Sequence, residues 1–179
     1  LSIPIPTQMC QDLRRLDQLL NETGCERLIV LGDLIHSRRG RSPQMESEFT
    51  SWRRKYSQLT IQLVRGNHDK AAGDPCSEWD IECLDATVKI GTLTLTHSPE
   101  FDSDNWTLCG HLHPKMKISS QAEDLRCPAF LLRHRTLVLP AFAQFIDHGI
   151  VRPEDDDVFY AVAETEVIPF STKALRQQF

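Results

Sequence analysis

Four times in this chain, an apolar run of strand length or the turn after it delivers a metal-competent side chain. The four places are Gly32-Asp33-Leu34-Ile35-His36, Gly66-Asn67-His68-Asp69, Leu95-Thr96-His97-Ser98-Pro99 and Gly110-His111-Leu112-His113-Pro114. Five of the seven histidines fall in them, leaving His134 and His148 elsewhere. Apolar runs of four or five residues that end in glycine read as short buried strands. Side chains carried at the ends of several strands can converge on one point above a sheet, and Gly32, Gly66 and Gly110 let the backbone pass close beneath it. A chain built this way is expected to be α/β, with its chemistry at the strand ends.

Each stretch alone says little. Gly-Asp after a strand is an ordinary turn, and a lone histidine such as His97 is more often a hydrogen-bonded structural residue than a ligand. Asn67-His68-Asp69 reads equally well as a loop whose side chains satisfy backbone donors. His111-x-His113 carries more, because alternate residues of an extended segment face the same side. The conjunction raises the weight of all four. Imidazole, carboxylate and amide oxygen together, with no thiolate among them, suit Mn²⁺, Fe or Zn²⁺. No glycine-rich phosphate loop or dinucleotide fingerprint competes with this reading.

The rest of the chain supplies a frame. Thr7 is a plausible N-cap for a helix carrying Met9, Leu13, Leu16, Leu19 and Leu20, with Gly24 as its stop. Residues 27–31 read as a strand, 44–58 as a helix with Met45, Phe49, Trp52 and Tyr56 on one face, and "TIQLVRGNHD" (60–69) as a second strand that again runs into glycine. That order favours parallel pairing through right-handed crossovers. After residue 80 short strands follow closely, at 86–90, 92–96, 106–109, 115–119, 129–134, 136–139, 158–163 and 167–170. The expectation is two stacked mixed sheets sharing one core and flanked by helices, within a single domain. At 179 residues, two full domains would be a squeeze. The six cysteines are scattered with no C-x-x-C pair, which fits reduced thiols of a cytoplasmic protein. No apolar run approaches membrane length and no export signal opens the chain. The net charge of −5 argues against a protein basic all over, although Arg38, Arg39 and Arg41 cluster, as do Arg53, Arg54 and Lys55. The run Glu154 to Asp157 reads as a solvated acidic face.

"GDLIH", "GNHD", His97 at its strand end and "GHLH", in this order and at these intervals, resemble the calcineurin-like metallophosphoesterase superfamily. With "DLRRLDQLL", "LGDLIHSRRGRS", "LVRGNHDKAAGDP", "LCGHLHP", "LPAF" and "VRPEDDDVFYAVA", nearly the whole chain is similar to the bacterial ligase-associated DNA damage response phosphoesterases, also described as endonucleases. The resemblance implies a four-layer α/β/β/α sandwich and two divalent ions, Mn²⁺ foremost, with Zn²⁺ or Fe as alternatives. By the same resemblance Asp33 bridges both ions; Asn67, His97 and His111 complete one site, and His113 serves the other. His68 matches the histidine that contacts phosphate and assists the leaving oxygen. Asp69 would orient it, and His36 would stand behind the ligands. The implied reaction is in-line attack on phosphorus by metal-bound hydroxide.

The pattern departs from the family in one respect. No Asp-x-His precedes Asp33, so the expectation is a sequence incomplete at its N-terminus, lacking the first strand, holding one ion well and hydrolysing poorly. Arg38, Arg39, Arg41 and Arg65 lie close to the ligand motifs and are candidate phosphate contacts. With Lys115 and Lys117 past His113 they suggest a basic rim and a DNA substrate, with ligase-associated repair proteins as partners. The alternatives are a small-molecule phosphodiesterase or phosphatase, and an inactive metal-binding module of a repair complex.

Overall fold

Helix α1 (Gln8–Thr23) forms where Met9, Leu13, Leu16 and Leu20 recur at three- and four-residue intervals. Leu13 and Leu20 are buried, whereas Leu19 remains 46% exposed and belongs to the outer face. Gly24, at φ +62°, ends the helix by donating its N–H to the Leu20 carbonyl at 2.9 Å. The computed structural model describes residues 8–35, 37, 41–101, 104–119, 124–143, 149, 151–163 and 166–172. Thr7, His36, Arg38, Arg39 and His148 therefore lie outside the described residues.

The chain divides into two compact units: Leu1–Asp85 with Phe142–Phe145, and Ala86–Ala141 with Ile146–Phe179. In the first, β1 (Arg27–Val30), β2 (Thr60–Val64) and β3 (Ile81–Leu84) make a parallel sheet in that order. Leu28 lies opposite Ile61, which lies opposite Ile81. Helix α2 (Pro43–Lys55) makes the crossover between β1 and β2; the Ser42 side chain caps it by accepting the Met45 N–H at 3.1 Å, with Pro43 at its first turn. Its inner face buries Phe49 and Trp52, and Trp79 stacks on Phe49 with ring centroids 4.2 Å apart. Asp17 on α1 accepts from Trp52 Nε1 and Lys55 Nζ, each at 2.8 Å, so one carboxylate clasps the two helices. Burial would raise that carboxyl, but hydrogen bonds from Lys55, Tyr56 and Trp52 outweigh it and hold it below its ordinary value.

In the second unit, β4 (Val88–Ile90), β5 (Leu93–Thr96), β6 (Trp106–Cys109), β7 (Lys115–Ser119), β8 (Asp124–Arg133), β9 (Thr136–Val138), β10 (Val158–Ala163) and β11 (Glu166–Ser171) form a mixed sheet. Its order is β11-β10-β8-β9-β6-β5-β4, with β7 paired to β8. β5, β6 and β9 run parallel, which sets the ends of β5 and β6 side by side. The core is small and interleaved: Cys109, Met116, Cys127, Ala129, Leu131, Val138, Phe159 and Ala161.

Three features differ from expectation. β3 was not anticipated, because "IECL" is only four residues long, carries a charge near its start and lacks a terminal glycine. β8 begins at Asp124, not Ala129, because it changes partners midway: residues 124–128 pair with β7, and 129–133 with β9 and β10. Asp157, read as part of a solvated acidic run, is fully buried. Arg133 explains the last of these. Its guanidinium forks onto Asp157 at 2.9 and 2.8 Å, reaches Glu154 at 2.7 Å, and lies 4.8 Å over the Phe101 ring.

Candidate metal centre

In the first unit, the turns after β1 and β2 are tied through one carboxylate. Asp69, on the first turn of α3 (Asn67–Ala72), is 1% exposed. Its Oδ2 accepts the N–H of Asp33 at 2.6 Å and of Gly66 at 2.9 Å, while Oδ1 accepts that of Ile35 at 3.0 Å. In return Asp33 Oδ1 accepts the His68 N–H at 3.0 Å. Asp33, Asn67, His68 and Asp69 are thus brought together by a double tie between two adjacent parallel strands. Asn67 is exposed, and Asp33 and His68 are half-buried.

The two described arginines of the phosphate-contact set are engaged within the same unit. Arg65 makes a bidentate pair with Asp74 at 2.8 Å on both arms and meets Asp85 at 3.1 Å. Arg41 reaches Glu46 at 3.2 Å and the Asp74 carbonyl at 2.9 Å. The Arg65 hydrogen bond holds the Asp74 carboxyl below its ordinary value of 3.8. A depressed carboxylate stabilises the fold above the unfolded value, and that contribution is lost as pH falls through the folded value. Asp74→Asn is expected to flatten the acid limb of stability below about pH 4 while costing less than about 1 kcal/mol at pH 7, since Asp74 itself is largely exposed. Urea midpoints measured across pH 2 to 7 check this; an unaltered acid limb would rule the pair out as its source.

In the second unit, His97 follows β5 and is buried at 6% exposure, while His111 follows β6 and is exposed. Parallel pairing of β5 with β6 aligns the two turns, and the Gly110 N–H donates to the His97 carbonyl at 3.1 Å. His97 Nε2 and His111 Nδ1 then stand 3.0 Å apart, with the rings 73° from coplanar. A tautomer with one proton between them makes this a hydrogen bond. The separation is also that of two imidazole nitrogens at adjacent vertices around a divalent cation, about 3.0–3.4 Å for metal–nitrogen distances of about 2.1 Å. The donor chemistry and this convergence both fit a metal. Burial pushes the neighbouring Cys109 thiol up to about 12, which keeps it protonated and outside the donor set.

Backbone conformation marks the same residues. Asp33, His111 and His113 adopt φ of +56°, +68° and +48°, in the left-handed region that non-glycine residues enter at a cost. Gly149 is a further member of the site region that sequence reasoning missed. Its carbonyl accepts the Lys115 N–H at 3.1 Å, and a Cβ there would overlap the His113 carbonyl oxygen. The signal for it is a tertiary close approach, which no local pattern carries. Gly149→Ala is expected to push the His113 turn away and cost about 2 kcal/mol, read by denaturant unfolding. A wild-type midpoint would remove Gly149 as a brace.

No protein-family model and no curated protein matches the chain. Among solved structures, nuclease MPE of Pseudomonas putida matches at 34% identity over 90% of this chain and 78% of that one, with a TM-score of 0.81. The chain belongs to the metallophosphoesterase family. Single and double mutants of Vps29 from Entamoeba histolytica are matched at 13% and 14% identity over 95% of this chain and 90% of theirs. Their TM-scores of 0.37 and 0.36 are too low to bear on the fold. The mixed α/β architecture with two sheets and few helices is the metallophosphoesterase-like one expected from the motifs. Among the described residues, no helix of this metallophosphoesterase is long and apolar enough to cross a membrane.

Proposed function

We propose that this metallophosphoesterase is a metal-dependent phosphodiesterase that cuts DNA and serves a damage response, its two units working as one domain. The observation that carries the reading is the convergence of His97 Nε2 and His111 Nδ1 to 3.0 Å, at the ends of two parallel strands. Identity of 34% with a nuclease supports the choice of substrate. In this reading Asp33, Asn67, His97 and His111 hold one divalent ion, and Asp33 and His113 share in holding a second. Mn²⁺ is the expected metal, with Zn²⁺ or Fe as alternatives. When bound, the ions supply neutralisation of phosphate charge and an activated water.

The remaining steps fall to the chain's own groups. Asn67 offers its amide oxygen to metal and keeps its NH₂ for a phosphate oxygen. His68 donates a proton to the leaving oxygen, from a backbone position held by its N–H bond to Asp33, and Asp69 orients it by tying the turns that carry Asp33 and Gly66. Arg38 and Arg39 are proposed phosphate contacts; Arg41 and Arg65 would have to exchange their present partners to join them. Six free thiols suit a reducing, cytoplasmic setting.

The test sets single-stranded DNA beside bis-p-nitrophenyl phosphate, with Mn²⁺ present. Cleavage of both is expected. Ester hydrolysis without DNA affinity would replace the reading with a small-molecule phosphodiesterase, and DNA binding without cleavage would replace it with an inactive module. His68→Ala is expected to lower the rate about a hundredfold with metal content intact. Full activity in that variant would remove His68 as the acid.

A further inference from the structure

We propose that Asp74 fills a two-arginine phosphate subsite, so that a phosphate of the DNA strand binds there by displacing it from Arg65 and Arg41. This rests on the nuclease reading, in which both arginines are phosphate contacts, and adds the group of the chain that competes for them.

Both cations converge on this one residue of the first unit. Arg65 Nε and Nη2 donate to Asp74 Oδ1 and Oδ2, each at 2.8 Å, and Arg41 Nη1 donates to the Asp74 carbonyl at 2.9 Å. Arg41 precedes α2 and Arg65 follows β2, so the fold and not the local chain gives them a common acceptor. The two oxygens of a carboxylate suit the Arg fork as two phosphate oxygens do. With its carbonyl as a third acceptor, Asp74 offers the two guanidinium groups what a phosphodiester would offer them.

In this pair the cation is the fixed partner and the anion the replaceable one. The Arg65 N–H donates to the Leu84 carbonyl at 2.9 Å, and its side chain is only 17% exposed. The Asp74 side chain is 56% exposed and follows Gly73, at φ +87°, where an added Cβ would meet nothing within 4 Å. The turn therefore has open space into which the carboxylate can swing. Asp85 takes Arg65 Nη1 at 3.1 Å and leaves the Nε–Nη2 edge to Asp74. Arg65 and Asp74 line a cavity of about 600 Å³, which gives a sugar-phosphate strand room beside them. The pair ties the turn after α3 to the end of β2, and an exposed carboxylate makes that tie a weak one. A DNA strand gains from every phosphate it has neutralised, so a polyanion can win the exchange.

The experiment measures binding of a fluorescein-labelled single-stranded DNA by anisotropy, without Mn²⁺ so that no cleavage intervenes. Asp74→Asn is expected to tighten binding about three- to fivefold, the population of free Arg65 rising as its competitor is removed. Asp80→Asn is the charge control: Asp80 lines the same cavity, is 90% exposed and pairs with Arg53 at 3.3 Å, and its loss should shift binding far less. In an Arg65→Gln background, Asp74→Asn is expected to give no gain, because the group it releases is gone. With Mn²⁺ restored, the KM for DNA should fall in Asp74→Asn by the same factor as the binding constant. Where wild-type protein binds DNA and Asp74→Asn binds no tighter than Asp80→Asn, Asp74 is no competitor and the nuclease reading stands. A gain that persists without Arg65 would trace to net charge and overturn the proposal in the same way. Where wild-type protein hydrolyses bis-p-nitrophenyl phosphate and does not bind DNA, both fall.

Discussion

Asp69→Ala is expected to cost about 4–6 kcal/mol of folding stability and to abolish the candidate centre's activity. The side chain is 1% exposed and accepts three backbone N–H groups, from Asp33, Ile35 and Gly66. Hydrogen bonds to a charged acceptor contribute about 1.5–3 kcal/mol each, and donors stranded in the interior cost the desolvation they can no longer offset. Alanine strands all three at once. Asp69→Asn separates charge from geometry. It keeps one acceptor oxygen and turns an NH₂ against N–H donors, so about half of the loss is expected. Urea unfolding measures the first effect. Mn²⁺ binding to the folded fraction measures the second, since the turn carrying Asp33 loses one of its two ties to the turn carrying His68. Wild-type stability in Asp69→Ala would show that the two turns are held by something else.

Arg133→Ala is expected to cost about 3–5 kcal/mol, because it leaves Asp157 charged and fully buried. The guanidinium now gives Asp157 two hydrogen bonds, and the Glu154 N–H gives a third at 2.9 Å. Asp157 also anchors the chain beyond it, since its carbonyl accepts the Thr172 N–H at 3.0 Å. Removing both charges should be milder than removing one. Arg133→Met with Asp157→Leu is expected to recover at least half of the loss, as well-packed apolar pairs often replace buried ion pairs at little cost. Denaturant midpoints for the two single variants and the double complete the cycle. Additive losses in the double would mean that the two residues act separately.

Much of the architecture could be read from the residues alone, and particular positions show why. β1, β2 and β6 announce themselves, because each is a short apolar run before glycine, although only Gly32 of the three turns left-handed, at φ +85°. The hairpin at Ile90-Gly91-Thr92 was equally plain, with Gly91 at φ +59°. β3 and the first half of β8 were not, since both hide apolar positions among charged ones and take their strand character from neighbours. Among site residues, His97 and His111 were legible as types and spacing, but their 3.0 Å approach is a property of parallel pairing between β5 and β6. Asp69 was read as the partner that orients His68; the plainer reading, a polar loop residue that satisfies backbone donors, describes the three N–H groups its carboxylate accepts. The burial of Asp157 and the closeness of Gly149 to His113 depend on partners 24 and 36 residues away in sequence. No local window holds that information.

The left-handed backbone at Asp33, His111 and His113 has a further consequence. Glycine would occupy each position with less strain, by about 1 kcal/mol or somewhat more per residue. These turns therefore trade thermal robustness for the direction in which an acid and two imidazoles project. A chain relieved of that conflict should melt higher and have lost its reason to fold this way, so the most heat-resistant version of this protein and its most capable version are different sequences.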